Sequence, residues 1–494
     1  MKKRIIHRNI VPLLIGTILL STFSACADVH EPSETTDSSQ SAFETETDAE
    51  TDLRDDLPED LHYQGEEIVF ISYNEMTYED LSGDIVEDAI YERNRMVENR
   101  LDIQIQCIQD GNAIDKVVIA VNGGSAEYDV MVDPCWRTAP KFVGNYFRNL
   151  RETEYLDFDK MWWNQSFNNE VLYKDAQYGI TGAMVLSLYR RTYVTVFNKD
   201  IFTEANQPFL YEYVDNGTWT LDKQTALVPL FHQDNGNNKQ DTTGDVYGFL
   251  SNDFIHVDPY WTSFEIDIIK KNSDGEYEWV FDPAKVHDMA EKVLALFNGT
   301  DNASYIERDD YLSERTVWDM FAGGYGAMAT VCIAALEDPA IRNMTQEYGV
   351  VPIPKHSESQ DQYYSQIHYG FDVICIPTTV KDDRADMLSA VLEAMSSTSY
   401  RIVRPVYYET TLRTKLAKDP QSAAMMDLII DHIRIDAGFV YTHTLGSMSQ
   451  GFHQGFQQLV ASGQNDAVSR YKRLSSAAQK ALSRLVDQLD GLSQ

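Results

Sequence analysis

Glu67-Ile68-Val69-Phe70-Ile71-Ser72 is a short, continuously apolar run, the pattern of a strand covered on both faces. Reading outward from it, Asp84 to Leu101 sets Val86, Ile90, Val97 and Leu101 on one helical face, with Glu87, Arg93, Arg95 and Glu98 elsewhere. Leu101-Asp102-Ile103-Gln104-Ile105-Gln106 alternates as a half-buried strand does. Ala113 to Val121 predicts a second helix, stopped by Asn122-Gly123-Gly124. Tyr128-Asp129-Val130-Met131-Val132-Asp133 is a third strand, ended by Pro134. Strand, helix, strand, helix, strand predicts an α/β lobe with a parallel sheet.

The pattern resumes at Tyr193-Val194-Thr195-Val196-Phe197-Asn198-Lys199, a strand followed by polar helical sequence. Ile266 to Phe281 predicts a hairpin around Asn272-Ser273-Asp274-Gly275. Helices are expected over 284–298 and 309–322, strands at Gly326–Val331 and Tyr369–Pro377, and almost wholly helical sequence from Asp382 onward. No tandem repeat is visible. The body from 62 to 494 is too long for one ordinary core, which predicts two lobes or more.

The beginning of the chain carries a different message. Lys2, Lys3, Arg4 and Arg8 precede an apolar core from Ile10 to Leu20, and the small pair Ser24-Ala25 stands directly before Cys26. This is the layout of a secretory signal peptide, with an apolar core too short to span a bilayer. The end of the run resembles a bacterial lipobox, which makes residues 1–25 a lipoprotein signal peptide and Cys26 the lipidated residue. Stable anchoring needs more than one acyl chain. Residues 26–61 form an acidic, low-complexity tether: from Ala27 to Asp60 there are thirteen acids and one base, with almost nothing to bury. The expected place is the extracytoplasmic face of the cell membrane.

The formal net charge of −36 argues against nucleic acid and against anionic lipid surfaces as partners. Cys107, Cys135, Cys332 and Cys375 show no CxxC pair and no disulfide framework. No GxSxG, HExxH or Walker loop is present, and Gly446-Ser447-Met448-Ser449-Gln450-Gly451 resembles a serine elbow only superficially. No enzyme is expected.

Five stretches carry a family resemblance. Thr195-Val196-Phe197-Asn198-Lys199-Asp200-Ile201-Phe202 resembles the "FNKDLF" segment of the extracellular solute-binding proteins of family 1. Asn216–Asp222 resembles its "G-x-W-T-W-D", Asp245–Phe249 its "D-x-Y-G-F", Phe321–Met328 its "F-x-x-G-x-x-A-M" and Tyr348–Lys355 its "G-x-x-P-x-P". Pro405-Val406-Tyr407-Tyr408-Glu409 is similar to a clostridial-type branch. The resemblance implies a substrate-binding lipoprotein of an ABC importer. Its fold would be of the periplasmic-binding-protein-like type II: two α/β lobes with a hinge and a ligand cleft between them. The first lobe is expected to hold roughly 62–190 plus 325–378, the second roughly 196–322 plus 380–494. The implied function is to bind a small solute, a mono- or oligosaccharide, as a monomer without cofactor and deliver it to ABC transporter permease subunits. A carbohydrate-acting lipoprotein enzyme or a solute sensor of the same fold stays open.

A sugar offers apolar faces and a rim of hydroxyls, which suit aromatic rings and planar polar groups. Ligands of parallel sheets lie outside the carboxyl ends of strands. Tyr73 and Asn74 follow the first strand, and Asp133 and Trp136 end and follow the third, with Trp136 as stacking platform and Asp133 as hydroxyl acceptor. A helix cap or packed loop is the other reading of that pair. Tyr260 or Trp261 supplies an opposing ring or else a core aromatic. Tyr325 stands between Gly324 and Gly326, where a backbone approaches a ligand closely or a strand end is strained. His368-Tyr369 is a weaker candidate. Trp162-Trp163 reads as loop packing; Arg190-Arg191 and Arg401 with Arg404 read as solvated surface charge, with a site for a carboxylate or phosphate as the other reading. Asp234 to Asp245 resembles a calcium loop, but Gly236 and Lys239 occupy the third and sixth positions, which require an oxygen ligand and glycine, so no metal is expected.

Overall fold

In the computed structural model, residues 53–237, 239–308, 314–408, 420–447 and 450–492 are described. The expected signal peptide, Cys26 and the expected tether as far as residue 52 lie outside them. Among the described residues no helix is long and apolar enough to cross a membrane.

The strands are β1 (Glu66–Ser72), β2 (Ile103–Gln109), β3 (Val130–Pro134), β4 (Tyr193–Asn198), β5 (Tyr247–Asn252), β6 (Ile269–Lys271), β7 (Tyr277–Trp279), β8 (Ser304–Glu307), β9 (Gly326–Cys332), β10 (Tyr348–Val351) and β11 (Asp372–Cys375). The helices that position the site are α1 (Ile85–Leu101), α2 (Ala113–Asn122), α3 (Pro283–Asn298), α4 (Glu314–Ala322), α5 (Asp382–Thr398) and α6 (Ala467–Leu492).

The first sheet has the order β11-β3-β1-β2. β1 runs parallel to β2 and to β3, as the βαβαβ reading requires, and β11 returns antiparallel on β3. α1 begins where Asp84 accepts the Val86 and Glu87 amide hydrogens. It ends on Asp102 in the left-handed region. Its Val97 and Leu101 pack with Ile68, Phe70, Val130 and Val132 in a core that also takes Leu388, Val391, Leu392 and Met395 from α5. Each such side chain contributes about 1.5–3 kcal/mol by leaving water.

The second sheet has the order β10-β4-β9-β5-β8, with β5 parallel to β8 and β9, and β4 antiparallel to β9 and β10. α3, α6 and their neighbours build the second core against it, and β6 and β7 form the expected hairpin. The four cysteines downstream of Cys26 are free.

Pairing draws the lobes differently from the sequence expectation. β9 and β10 belong to the second sheet, so of 325–378 the first sheet receives β11. α5 packs on the first lobe, not the second, because its apolar face meets α1 and β1. The ordered body also begins before residue 62, inside the expected tether. Leu57 is buried, and Asp55 accepts a hydrogen bond from Ser397 (2.6 Å) and pairs with Arg100 (2.7 Å).

Candidate ligand-binding cleft

Each sheet presents one edge to a shared groove. In the first sheet that edge comprises the carboxyl ends of β1 and β3 and the start of β11, since Asp372 stands opposite Pro134. In the second it comprises the carboxyl ends of β5 and β9 and the start of β4, since Tyr193 stands opposite Cys332. A cavity of about 340 Å³ lies between them, lined by Asn74, Glu75 and Asp372 on one side and Trp318 and Ala334 on the other, with Arg191 in its wall. A second cavity, of about 400 Å³, opens past β5, lined by Asp253, Phe254 and the four glutamines Gln450, Gln454, Gln457 and Gln458.

An unusual number of buried polar atoms near these edges lack a hydrogen-bond partner among the described residues: the Tyr193 hydroxyl, both His256 nitrogens, Glu314 Oε1, Trp318 Nε1, Asp372 Oδ1, His443 Nδ1 and His453 Nε2. Native interiors leave few such atoms, and each calls for a partner, whether a water, an ion or a ligand. His256 Nε2 and Glu314 Oε1 stand 3.6 Å apart, and His453 Nε2 and Asp258 Oδ2 3.7 Å apart, just beyond hydrogen-bond reach. Burial holds the His368 imidazole down to about 3 and His443 down to about 4, and pushes His453 well below its usual range. A neutral imidazole offers one donor and one acceptor, matching a hydroxyl that does both. Burial pushes the Glu314 carboxyl up, but the facing His256 imidazole and the Arg191 guanidinium outweigh that and hold it below the usual range. Burial raises Asp372.

Aromatic rings line the same region. Trp136 is 36 % exposed, with its ring centroid 5.5 Å from His443. Tyr369 stacks on His368 at 4.2 Å and reaches His453 at 5.1 Å. Tyr193 lies edge-on to both His256 and His368.

The sequence-predicted residues divide clearly. Asn74 lines the cavity and donates to Asp372 Oδ2 at 2.7 Å. Tyr73 and Trp136 are exposed at the first-lobe edge, each with the Arg137 guanidinium 5.9 Å from its ring. Asp133 is fully buried; its Oδ2 accepts the Ile114 amide of α2, and Arg137 Nε stands 3.6 Å from Oδ1. It supports the edge from behind, as a cap for α2. Tyr260 and Trp261 are fully buried, a correction to the site expectation. Trp261 packs among Phe281, Phe439, Phe456 and Tyr471 at 5.9–6.4 Å, because the helix carrying it turns inward onto α6. Tyr325 is a second correction. It precedes β9, and its carbonyl accepts the amide hydrogen of Tyr247 at the start of β5. That is the opposite edge of the sheet, roughly 23 Å of strand from the groove.

The 234–245 loop sits at that far edge too. Asp245 accepts the Asn235 and Asp241 amides and the Tyr247 hydroxyl, so its carboxylate closes the loop on itself. Trp162 and Trp163 are buried, and their indoles donate to the two oxygens of Glu393 on α5. Sequence reading missed His256 and His443, which sit in short helical segments, and His453, in the turn before the helix Gln454–Ser462; none carries a local motif. Glu314 and Trp318 did carry a signal, since a spacing of four puts both on one face of α4.

No family model matches the chain, and no curated protein matches it. Solved structures do. The chain is similar to the cyclic α-maltosyl-1,6-maltose binding protein of Arthrobacter globiformis at 12% identity and a TM-score of 0.58, covering 85% of this chain and 100% of that one. The fold is that of the type II periplasmic binding proteins. It is similar also to the GacH receptor of Streptomyces glaucescens, solved unliganded and with acarbose, at 15% identity and TM-score 0.52, covering 87% and 99%. An ABC substrate-binding protein of Listeria monocytogenes in complex with cycloalternan gives 14% identity and TM-score 0.52 over 85% and 99%. At these identities the likeness establishes the fold, and these neighbours are named as binding proteins and receptors.

Proposed function

We propose that this protein is an extracytoplasmic lipoprotein that captures a mono- or oligosaccharide between its lobes and delivers it intact to an ABC permease. The observation that carries the reading is the set of partnerless buried polar atoms at the facing sheet edges, flanked by Trp136, Tyr369 and Tyr193. Both lobes contribute to it, so a ligand touching both favours a closed arrangement through differential affinity. The saccharides named for the structural neighbours agree with that chemistry. The proposal places the chain in family 1 of the solute-binding proteins, in its clostridial-type branch, working as a monomer anchored through acylated Cys26.

The deciding experiment is a thermal-shift screen against a saccharide library, followed by recovery of the bound compound. A true ligand at 100 times its Kd adds about 2.7 kcal/mol of stability. Ligand recovered unchanged supports a receptor; release of reducing ends from it would make the protein a carbohydrate-acting enzyme. Cys26→Ser should move the protein from the membrane fraction to the soluble one. A gene neighbourhood with a histidine kinase and no permease would favour sensing over transport.

A further inference from the structure

We infer that the saccharide is acidic, with a uronate carboxylate seated on Arg191. This rests on the sugar-binding reading and narrows it. Arg191 lines the 340 Å³ interlobe cavity, yet its guanidinium makes no hydrogen bond and no ion pair with any described residue. Its neighbour Arg190 is already neutralised by Glu337 at 3.0 Å and lies over the Tyr407 ring. Arg191 therefore brings five N–H donors in a planar fork, with no acceptor capacity, to a wall where Trp318 Nε1 is a further partnerless donor. Three acids stand around it: Glu75 in the same cavity wall, and Asp372 and Glu314, whose carboxyls its charge helps hold down. Asp372 takes the Asn74 amide at 2.7 Å and is raised by burial, and Glu314 faces His256 at 3.6 Å. His368, which also feels the Arg191 charge, is held neutral by burial.

A neutral hydroxyl uses one of those donors and leaves the rest of the fork unmet, whereas a carboxylate meets the fork with two parallel hydrogen bonds. Asp372 Oδ1 and Glu314 Oε1 then remain for ring hydroxyls. The chain's overall −36 does not oppose this at close range. At physiological salt the screening length is about 8 Å, so the contact charge dominates the distant ones.

The test is calorimetric titration of the full-length chain with galacturonate and glucuronate oligomers, their methyl esters, and neutral malto- and xylo-oligosaccharides. The acidic oligomers should bind, their methyl esters at least 10-fold more weakly, and only the acids should lose affinity between 50 and 500 mM salt, about a ten-fold span of ionic strength. Arg191→Met should weaken acid binding roughly 10- to 100-fold with the unliganded melt unchanged, and Arg191→Lys should recover part of it. Equal binding of esters or neutral sugars, unaffected by Arg191→Met, overturns the acidic ligand and leaves the sugar-binding cleft standing. Binding of neither class removes both.

Discussion

Trp136 keeps 36 % of its surface exposed at the first-lobe edge, whereas Trp261 keeps none. The two substitutions should therefore separate binding from folding. Trp136→Ala should cost at least about 1 kcal/mol of ligand affinity, the worth of a ring contact beyond its buried area, and change unliganded stability by less than about 0.5 kcal/mol. Trp261→Ala should cost about 3–5 kcal/mol of folding stability, because it opens a cavity between α6 and the hairpin. Calorimetric affinity and urea midpoints on both variants check this, and an equal loss of stability in Trp136→Ala would make that ring a packing residue. Asp133 carries a second expectation. Burial raises its folded pKa to about 7, against an unfolded value near 3.9, so the folded state binds this proton more tightly. Its contribution is full below about pH 4 and is lost as pH rises through about 7, an upper bound of about 4 kcal/mol. The imidazoles of His368 and His443, held neutral, act in the opposite sense below about pH 6.5. The difference in unfolding free energy between the parent and Asp133→Asn, followed from pH 4 to 8, isolates the aspartate; a flat difference would refute the raised carboxyl.

α5 shows how an element's sequence hides its partner. Its Glu393 is buried and accepts from the Trp162 indole at 3.1 Å and the Trp163 indole at 3.0 Å. Burial outweighs those donors and raises the carboxyl to about 8. Glu393→Gln keeps the volume but turns an amide NH₂ toward one indole, leaving a buried donor unmet. It should lower stability by about 1–3 kcal/mol, read as a lower urea midpoint at unchanged m. An unaltered midpoint would mean that the indoles find other acceptors. The loop-packing reading of Trp162 and Trp163 was legible because their neighbours are polar, but nothing local names a glutamate some 230 residues away. The same limit governed the lobes. β1, α1, β2, α2 and β3 were readable from period, caps and stops within 66–134, and so was the hairpin at Asn272–Gly275. β8 and β10 are four residues each, too short for a period to show. β9 looked like a first-lobe strand because pairing with β4 and β5 is a long-range fact. Around Tyr325 the glycines misled. Gly324 has φ 78°, which the turn into β9 needs, and a Cβ on Gly326 would lie 2.3 Å from Leu250. Both glycines serve the turn and the packing, not a ligand.

At the scale of the whole molecule the chain passes between its sheets more than once. Thr192, leaving the first lobe for β4, bridges Ile367, which leads back to β11, so the outgoing and returning crossings are tied together beside the groove. A third passage follows α5 through the π-helical turn Ser399–Val403. Such a strap lets two rigid lobes change their angle while each core stays packed, since interiors deform poorly and hinges absorb the change in a few residues. A ligand favours closure only by as much as it contacts the two edges better together than apart. Asn74 and Trp318 line the same cavity from opposite lobes, which gives the idea a direct test. Saturating saccharide should reduce the radius of gyration in small-angle scattering and raise the melting temperature together. Asn74→Ala and Trp318→Ala should each weaken affinity, and each should leave more of the liganded population open, because either one removes contacts on a single side of the gap. A melting shift with an unchanged scattering curve would place the ligand on one lobe alone, and the reading of the cavity as a closing cleft would then fail.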